Sequence, residues 1–237
     1  MRHDWLLISD IDGTLTGDDT ALRVLMRRLT EEHPRLGFGV ASGRSPELVQ
    51  GAVTQFGLNE PDVVIASVGS EILGWRGLRE SYRQHISTGW NRAAVVMALE
   101  GEAGLDLQES GGQGPFKVSF YAGTEAVLIA REALAAAGLK AKLIHSHGAF
   151  LDVLPERASK GEAVRFAAAQ LGVPLERVVV AGDSGNDADM LRCGARAVVV
   201  ANYDPELEPV LADASVYRAR GAHAAGVLEG LEHFGAL

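Results

Sequence analysis

Residues 5–14 read Trp-Leu-Leu-Ile-Ser-Asp-Ile-Asp-Gly-Thr, WLLISDIDGT. The run 5–9 is apolar without alternation, the pattern of a strand buried on both faces rather than one with a wet side. It ends abruptly at Asp10, with Asp12, Gly13 and Thr14 close behind. Two carboxylates and a flexible turn therefore stand at the C-terminal end of a buried strand. Taken alone, such a loop is equally the mark of a solvated turn, a piece of a calcium loop or a catalytic edge.

The same unit repeats on either side. Residues 20–33 place Leu22, Leu25, Met26 and Leu29 on one helical face, and 36–41 (LGFGVA) read as a second strand before the loop 42–44 (SGR). Helix 46–56, strand 63–66 (VVIA) and loop 67–70 follow, and later helix 161–171, strand 178–181 (VVVA), loop 182–187 (GDSGND) and strand 197–201. Strands and helices alternating at this length predict an α/β fold with a Rossmann-like parallel-sheet core, whose functional loops gather at the C-terminal strand ends. The middle departs from this rhythm. A helix over 87–101, a Gly-rich break at 111–114, a strand at 116–121, a helix at 125–137 and strands near 141–145 and 149–154 predict a small inserted α+β unit. The expected division is 1–77 with 156–237 as a discontinuous core, and 78–155 as the insertion.

Composition narrows the function classes. With 22 Lys+Arg against 31 Asp+Glu in 237 residues, the net charge of −9 argues against a nucleic-acid footprint. The tryptophans Trp5, Trp75 and Trp90 form no basic aromatic stripe. A single cysteine, Cys193, excludes an internal disulfide and any Cys-cluster metal site. The apolar runs are strand-sized and residues 1–8 are too short for a signal peptide, so no membrane span and a cytoplasmic location are expected. His145 and His147 are two apart, as zinc ligands on one strand face would be, but no third ligand stands near them.

Asp183 in the second acidic loop can complete an oxygen-rich site with Asp10. Carboxylates crowded at a strand edge need a cation or hydrogen-bond donors to offset their repulsion, and Mg²⁺ favours carboxylate, carbonyl and phosphate oxygens. A polar turn capped by Asn186 or Asp187 is the competing reading of the same segment. Ser42-Gly43 offers a hydroxyl and backbone N–H groups to phosphate oxygens, and Lys160 places a cation at the start of helix 161–171.

Together these motifs closely resemble the haloacid dehalogenase-like phosphohydrolases. Asp10-Ile-Asp-Gly-Thr matches the first motif, Ser42-Gly43-Arg44 the second, Lys160 the third, and Gly182-Asp183-Ser184-Gly185-Asn186-Asp187 the fourth. The insertion looks like the C2 cap of the Cof-like branch. Within that branch LLISDIDGT at 6–14, GSEI at 69–72, PFKVSF at 115–120, LDVLPERASKG at 151–161 and HAAGVLEGLEHF at 223–234 are most similar to the sucrose-phosphate phosphatase family. Ser42 stands where that motif commonly has threonine and keeps the hydroxyl.

The resemblance implies a monomeric, Mg²⁺-dependent hydrolase of a small phosphorylated sugar, sucrose 6-phosphate foremost and mannosylfructose phosphate as the alternative. A non-catalytic sugar-phosphate-binding protein is the competing class; it would not need both a nucleophile and an acid/base. Asp10 would be the nucleophile and Asp12 the general acid/base. The metal set would be Asp10, the Asp12 carbonyl, Asp183 and Asp187, the last directly, through water or from behind. Ser42, Gly43 and Lys160 would bind phosphate, with Asn186 positioning Lys160 or Asp183. Lys117 and Asp152 on the cap and Glu71 on the core side would contact the sugar.

Overall fold

The computed structural model describes residues 3–74, 77–213 and 215–237. Trp75 lies outside the described residues. Chain order is β1 (Trp5–Ser9), α1 (Asp19–Glu32), β2 (Leu36–Ala41), α2 (Pro46–Phe56), β3 (Val63–Ala66), β4 (Glu71–Gly74), α3 (Leu78–Ser87), α4 (Arg92–Leu99), β5 (Asp106–Leu107) and β6 (Val118–Tyr121). It continues with α5 (Thr124–Ala136), β7 (Ala141–Ser146), β8 (Phe150–Pro155), α6 (Lys160–Leu171), β9 (Val178–Gly182), α7 (Ala188–Leu191), β10 (Arg196–Val199), α8 (Glu208–Leu211), β11 (Val216–Arg218) and α9 (His223–His233).

Seven strands form one sheet in the order β11-β10-β9-β1-β2-β3-β4, parallel except for the β3–β4 pair. The decisive run 5–9 is its central strand. Leu6, Leu7 and Ile8 are wholly buried, with alternate residues facing two apolar layers, one holding Leu6 and Ile8 and the other Leu7. Burying each of these side chains is worth about 1.5–3 kcal/mol, which explains why a run this short holds its place. From β1 the chain turns to β2 on one side, while β9 pairs with β1 on the other. This reversal opens a crevice at the C-terminal ends of β9, β1 and β2, where open α/β sheets bind ligands.

The second sheet, β5-β6-β8-β7, is antiparallel. Helices α4 and α5 cover one face, burying Val95, Leu99, Ala126, Ala130 and Leu134 against Val118, Phe120, Leu151 and Val153. Its other face turns to the large sheet's crevice. Ile144 and Leu154 join the same apolar cluster as Ile65 and Val68, and β7 packs on the turn Gly185–Asp187.

Several expectations change. The helix foreseen over 87–101 is shorter, α4 at Arg92–Leu99, and a helix not foreseen, α3, precedes it; the two are parted at Thr88–Asn91, where Gly89 takes the left-handed φ of 77°. Strands β4 and β11 were not foreseen; at four and three residues they carry too little pattern to stand out. His147 lies past the end of β7, in a turn with φ of 53°, and so does not share a strand face with His145. Among the described residues no helix is long and apolar enough to cross a membrane.

Candidate active site

The crevice centres on Lys160. Its side chain is fully buried at the first position of α6, whose start is fixed by Ser159 accepting from the Glu162 N–H at 3.1 Å. An ammonium has three hydrogens, and all three are used. Nζ donates to Asp10 Oδ1 at 2.7 Å, Asn186 Oδ1 at 2.6 Å and Asp187 Oδ1 at 2.7 Å. Two loops remote in sequence, those of Asp10 and of Asn186–Asp187, thus meet on one cation.

Asp187 is wholly buried and acts from behind. Its Oδ2 accepts from the Asp183 and Ser184 N–H groups at 3.0 and 3.1 Å, while Oδ1 faces Lys160. Both oxygens are therefore engaged by protein donors. Asn186 bonds Lys160 through Oδ1. Asp183 is held by Thr14, whose Oγ1 donates to Oδ1 at 2.5 Å. Gly13, at φ of 82°, lies so close that a methyl there would collide with the Asp183 carboxylate.

Asp10, Asp183 and Asp187 can bring one carboxylate oxygen each within 4.8 Å of one another. Three carboxylates face one ammonium, which leaves two negative charges uncompensated in a buried place. Burial raises the Asp10 carboxyl well above its ordinary range; Lys160 opposes this, and Asp187 and Asp183 add to it. Asp183 is pushed up to about 6, chiefly by burial, against the Thr14 hydrogen bond and with Asp187 repelling it. For Lys160, burial favours the neutral amine, but Asp10 and Asp187 outweigh it and hold the ammonium above its ordinary range. Among the described residues Asp10 Oδ2 and Asp183 Oδ2 have no hydrogen-bond donor. Excess negative charge, hard oxygen donors and two free carboxylate oxygens suit a divalent cation of the Mg²⁺ type.

The Asp12 side chain points elsewhere. Arg44 Nε and Nη2 donate to its two oxygens, both at 2.7 Å, in a fork-on-carboxylate pair. Arg44 was part of the recognised motif, but its hold on Asp12 was not foreseen. Ser42 is buried, and its Oγ accepts from the Arg44 N–H at 3.2 Å. Gly43 adjoins Asn186; a Cβ there would stand 4.0 Å from Asn186 Nδ2.

On the small sheet Lys117 Nζ lies 3.2 Å from Asp152 Oδ1, and Ser119 Oγ donates to the same oxygen at 2.5 Å. Lys117 and Asp152 are each only 7% exposed, so this polar group is built in rather than solvated. Glu71, buried at the start of β4, has its oxygens on Arg79 at 3.3 Å and Arg83 at 2.9 Å. Sequence reasoning missed two further residues at the Asp10–Thr14 loop. His223 Nδ1 and Asn202 Nδ2 both donate to the Gly13 carbonyl, at 2.7 and 2.8 Å. The HAAGVLEGLEHF segment was the signal for His223; Asn202 had none.

The chain and its fold have counterparts among known proteins. A family model described as Sucrose-6F-phosphate phosphohydrolase matches residues 3–235. The chain is 32% identical to mannosylfructose-phosphate phosphatase of Agrobacterium fabrum, over 97% of this chain and 96% of that protein. It is 29% identical to sucrose-phosphatase 1 of Nicotiana tabacum over 97% of its own length, but spans only 59% of the tobacco protein. The solved sucrose-phosphatase of Synechocystis sp. PCC6803, in complex with sucrose and phosphate, superposes with a TM-score of 0.93 at 34% identity over 99% of both chains. The chain belongs to the sucrose-6F-phosphate phosphohydrolase family and is a sugar-phosphate phosphatase, a phosphoric monoester hydrolase.

Proposed function

We propose that this protein hydrolyses sucrose 6-phosphate to sucrose and phosphate in a Mg²⁺-dependent reaction. The observation that carries the reading is the likeness, over 99% of both chains, to a protein solved with sucrose and phosphate. The buried Lys117–Asp152 pair on the sheet facing the crevice supports it. Residues 1–77 and 156–237 serve as the catalytic core, and 78–155 as a cap that selects the sugar.

Asp10 forms a bond to phosphorus as the sugar oxygen leaves, and Asp12 protonates that oxygen. Asp12 then takes a proton from water, whose oxygen attacks phosphorus and releases Asp10. Ser42 and the Gly43 N–H hold the phosphoryl oxygens and Lys160 offsets their charge, while Asn186 and Asp187 keep Lys160 in place. Asp10, Asp183 and the Asp12 carbonyl would hold Mg²⁺, which when bound offsets the excess negative charge and polarises the phosphoryl group. Lys117 and Asp152 meet sugar hydroxyls, and Glu71 with its two arginines lines the core side.

Phosphate release from a panel of phosphorylated disaccharides, with and without Mg²⁺, tests the reading. Preference for sucrose 6-phosphate is expected, with loss of turnover on chelation. Equal rates on unrelated phosphomonoesters would overturn it. Mannosylfructose phosphate is the second reading, favoured by the 32% identity to the phosphatase of that name; its preference in the same panel would replace the first.

A further inference from the structure

The turn at the tip of the β7–β8 hairpin, His147–Gly148, has both residues in the left-handed region, with φ of 53° and 60°. This turn aims two successive backbone N–H groups at one carboxylate. His147 N–H donates to Glu206 Oε2 at 3.0 Å, and Gly148 N–H donates to Glu206 Oε1 at 2.8 Å. Glu206 belongs to the loop that follows β10, so these bonds join the cap to the core. Elsewhere the cap is held by apolar residues such as Ile144 and Leu154, whose contact has no directional preference, and by polar contacts such as Lys142 Nζ donating to Ser159 Oγ at 3.2 Å. The Glu206 pair is directional.

The loop carrying Glu206 is tied to the catalytic centre at two other points. Asn202 donates to the Gly13 carbonyl, and the Asp204 N–H donates to the Asp183 carbonyl at 2.7 Å. The cap tip is therefore registered against the segment that holds the nucleophile loop and the acidic loop, not against a remote surface. Gly185 makes room for this. A methyl at Gly185 would collide with Glu206 Oε2 and meet the His145 carbonyl at 3.2 Å. His147 Nδ1 also stands 3.9 Å from Asp204 Oδ2, adding a second contact at the same corner.

We infer that Glu206 is a positioning residue that latches the cap in its seated state over the catalytic loops. Because the latch holds the cap and not the phosphate, it serves substrates whose sugar the cap must grip and is dispensable for small esters that the core handles alone. This part rests on the sugar-phosphate reading above. Seating the cap on Glu206 brings Lys117 and Asp152 to the sugar once per turnover, and release of the two N–H bonds lets the product leave.

The test pairs two measurements on the full chain. In amide hydrogen exchange, Glu206→Ala is expected to expose the His147 and Gly148 N–H groups, with exchange about tenfold faster or more, the scale of losing hydrogen bonds to a charged acceptor. In kinetics, the same variant is expected to lower kcat/KM for sucrose 6-phosphate by about tenfold, mainly through KM, and to leave p-nitrophenyl phosphate hydrolysis within about twofold. Glu206→Gln keeps one acceptor oxygen and recovers part of both losses. Unchanged exchange at the two amides overturns the latch, as does an equal loss on both esters, which would make Glu206 a support of the core. Failure of the substrate reading looks different: the unaltered protein then leaves sucrose 6-phosphate intact, while the exchange difference at His147 and Gly148 remains.

Discussion

Arg44 grips Asp12 through two hydrogen bonds of 2.7 Å, so the proposed general acid is held in place by a residue two positions past Ser42. In the proposed reaction Asp12 exchanges this fork for the sugar oxygen. Because the pair is partly exposed, it contributes little to stability, and its effect is on where Asp12 rests. Asp12→Asn should lower kcat by roughly 10²–10⁴-fold, the usual worth of acid/base catalysis. Arg44→Ala should cost less, about tenfold, because it frees the acid without removing it. Steady-state kinetics on both variants decide this; a larger loss for Arg44→Ala would give the arginine a direct role in turnover.

Asp10→Asn removes the proposed nucleophile while keeping nearly the same shape. Turnover should fall by several orders of magnitude with the fold retained, as read by phosphate release and circular dichroism. Near-normal turnover would exclude covalent catalysis at Asp10.

Lys160 is the hub of a buried charge cluster, and Lys160→Met leaves Asp10 and Asp187 facing each other without their cation. Breaking a buried pair from one side costs about 3–5 kcal/mol. For a chain of this size that is a fall in Tm of about 6–20 °C. Thermal unfolding at neutral pH without added metal measures it, and an unchanged Tm would mean that the cluster contributes nothing to the fold.

The pH dependence has a defined sign. Asp183 is pushed up to about 6 from an ordinary 3.8, chiefly by burial, so the fold favours its protonated form. The metal-free protein should therefore lose stability as pH rises from about 4 through about 6, since the unfolded chain releases this proton first. Asp10 acts in the same direction. Mg²⁺ should restore stability by an amount that grows across this window. Tm measured against pH, with and without Mg²⁺, tests the claim; Asp183→Asn should flatten the metal-free slope, and an equally steep slope in that variant would refute it.

Lys117 shares Asp152 with Ser119 on the cap face turned to the crevice. Lys117→Ala should reduce efficiency on a disaccharide phosphate far more than on p-nitrophenyl phosphate, because the core that handles phosphate is untouched. An equal loss on both substrates would remove Lys117 from sugar recognition.

The sequence by itself determined the central strand 5–9, the parallel rhythm around it and the loops that carry Asp10, Ser42 and Asp183. Each of these is a local signal: continuous burial makes a run of five residues read as a strand, and polar residues after it can only lie at the strand's end. Lys160 was legible as a cation beside the start of a helix, and its role came from its order among the other motifs and the resemblance to the third motif. Tertiary structure alone decided how these loops use one another. Nothing near Asp187 in the chain shows that its oxygens face Lys160 on one side and two backbone N–H groups on the other. Nothing near Gly13 announces that its carbonyl accepts from Asn202 and His223, or near Glu206 that it meets the cap at His147 and Gly148. Hydrophobic period is written along the chain because each residue is buried or exposed by its own element. Hydrogen bonds between remote loops depend on where whole elements come to rest, and only packing of the two sheets fixes that.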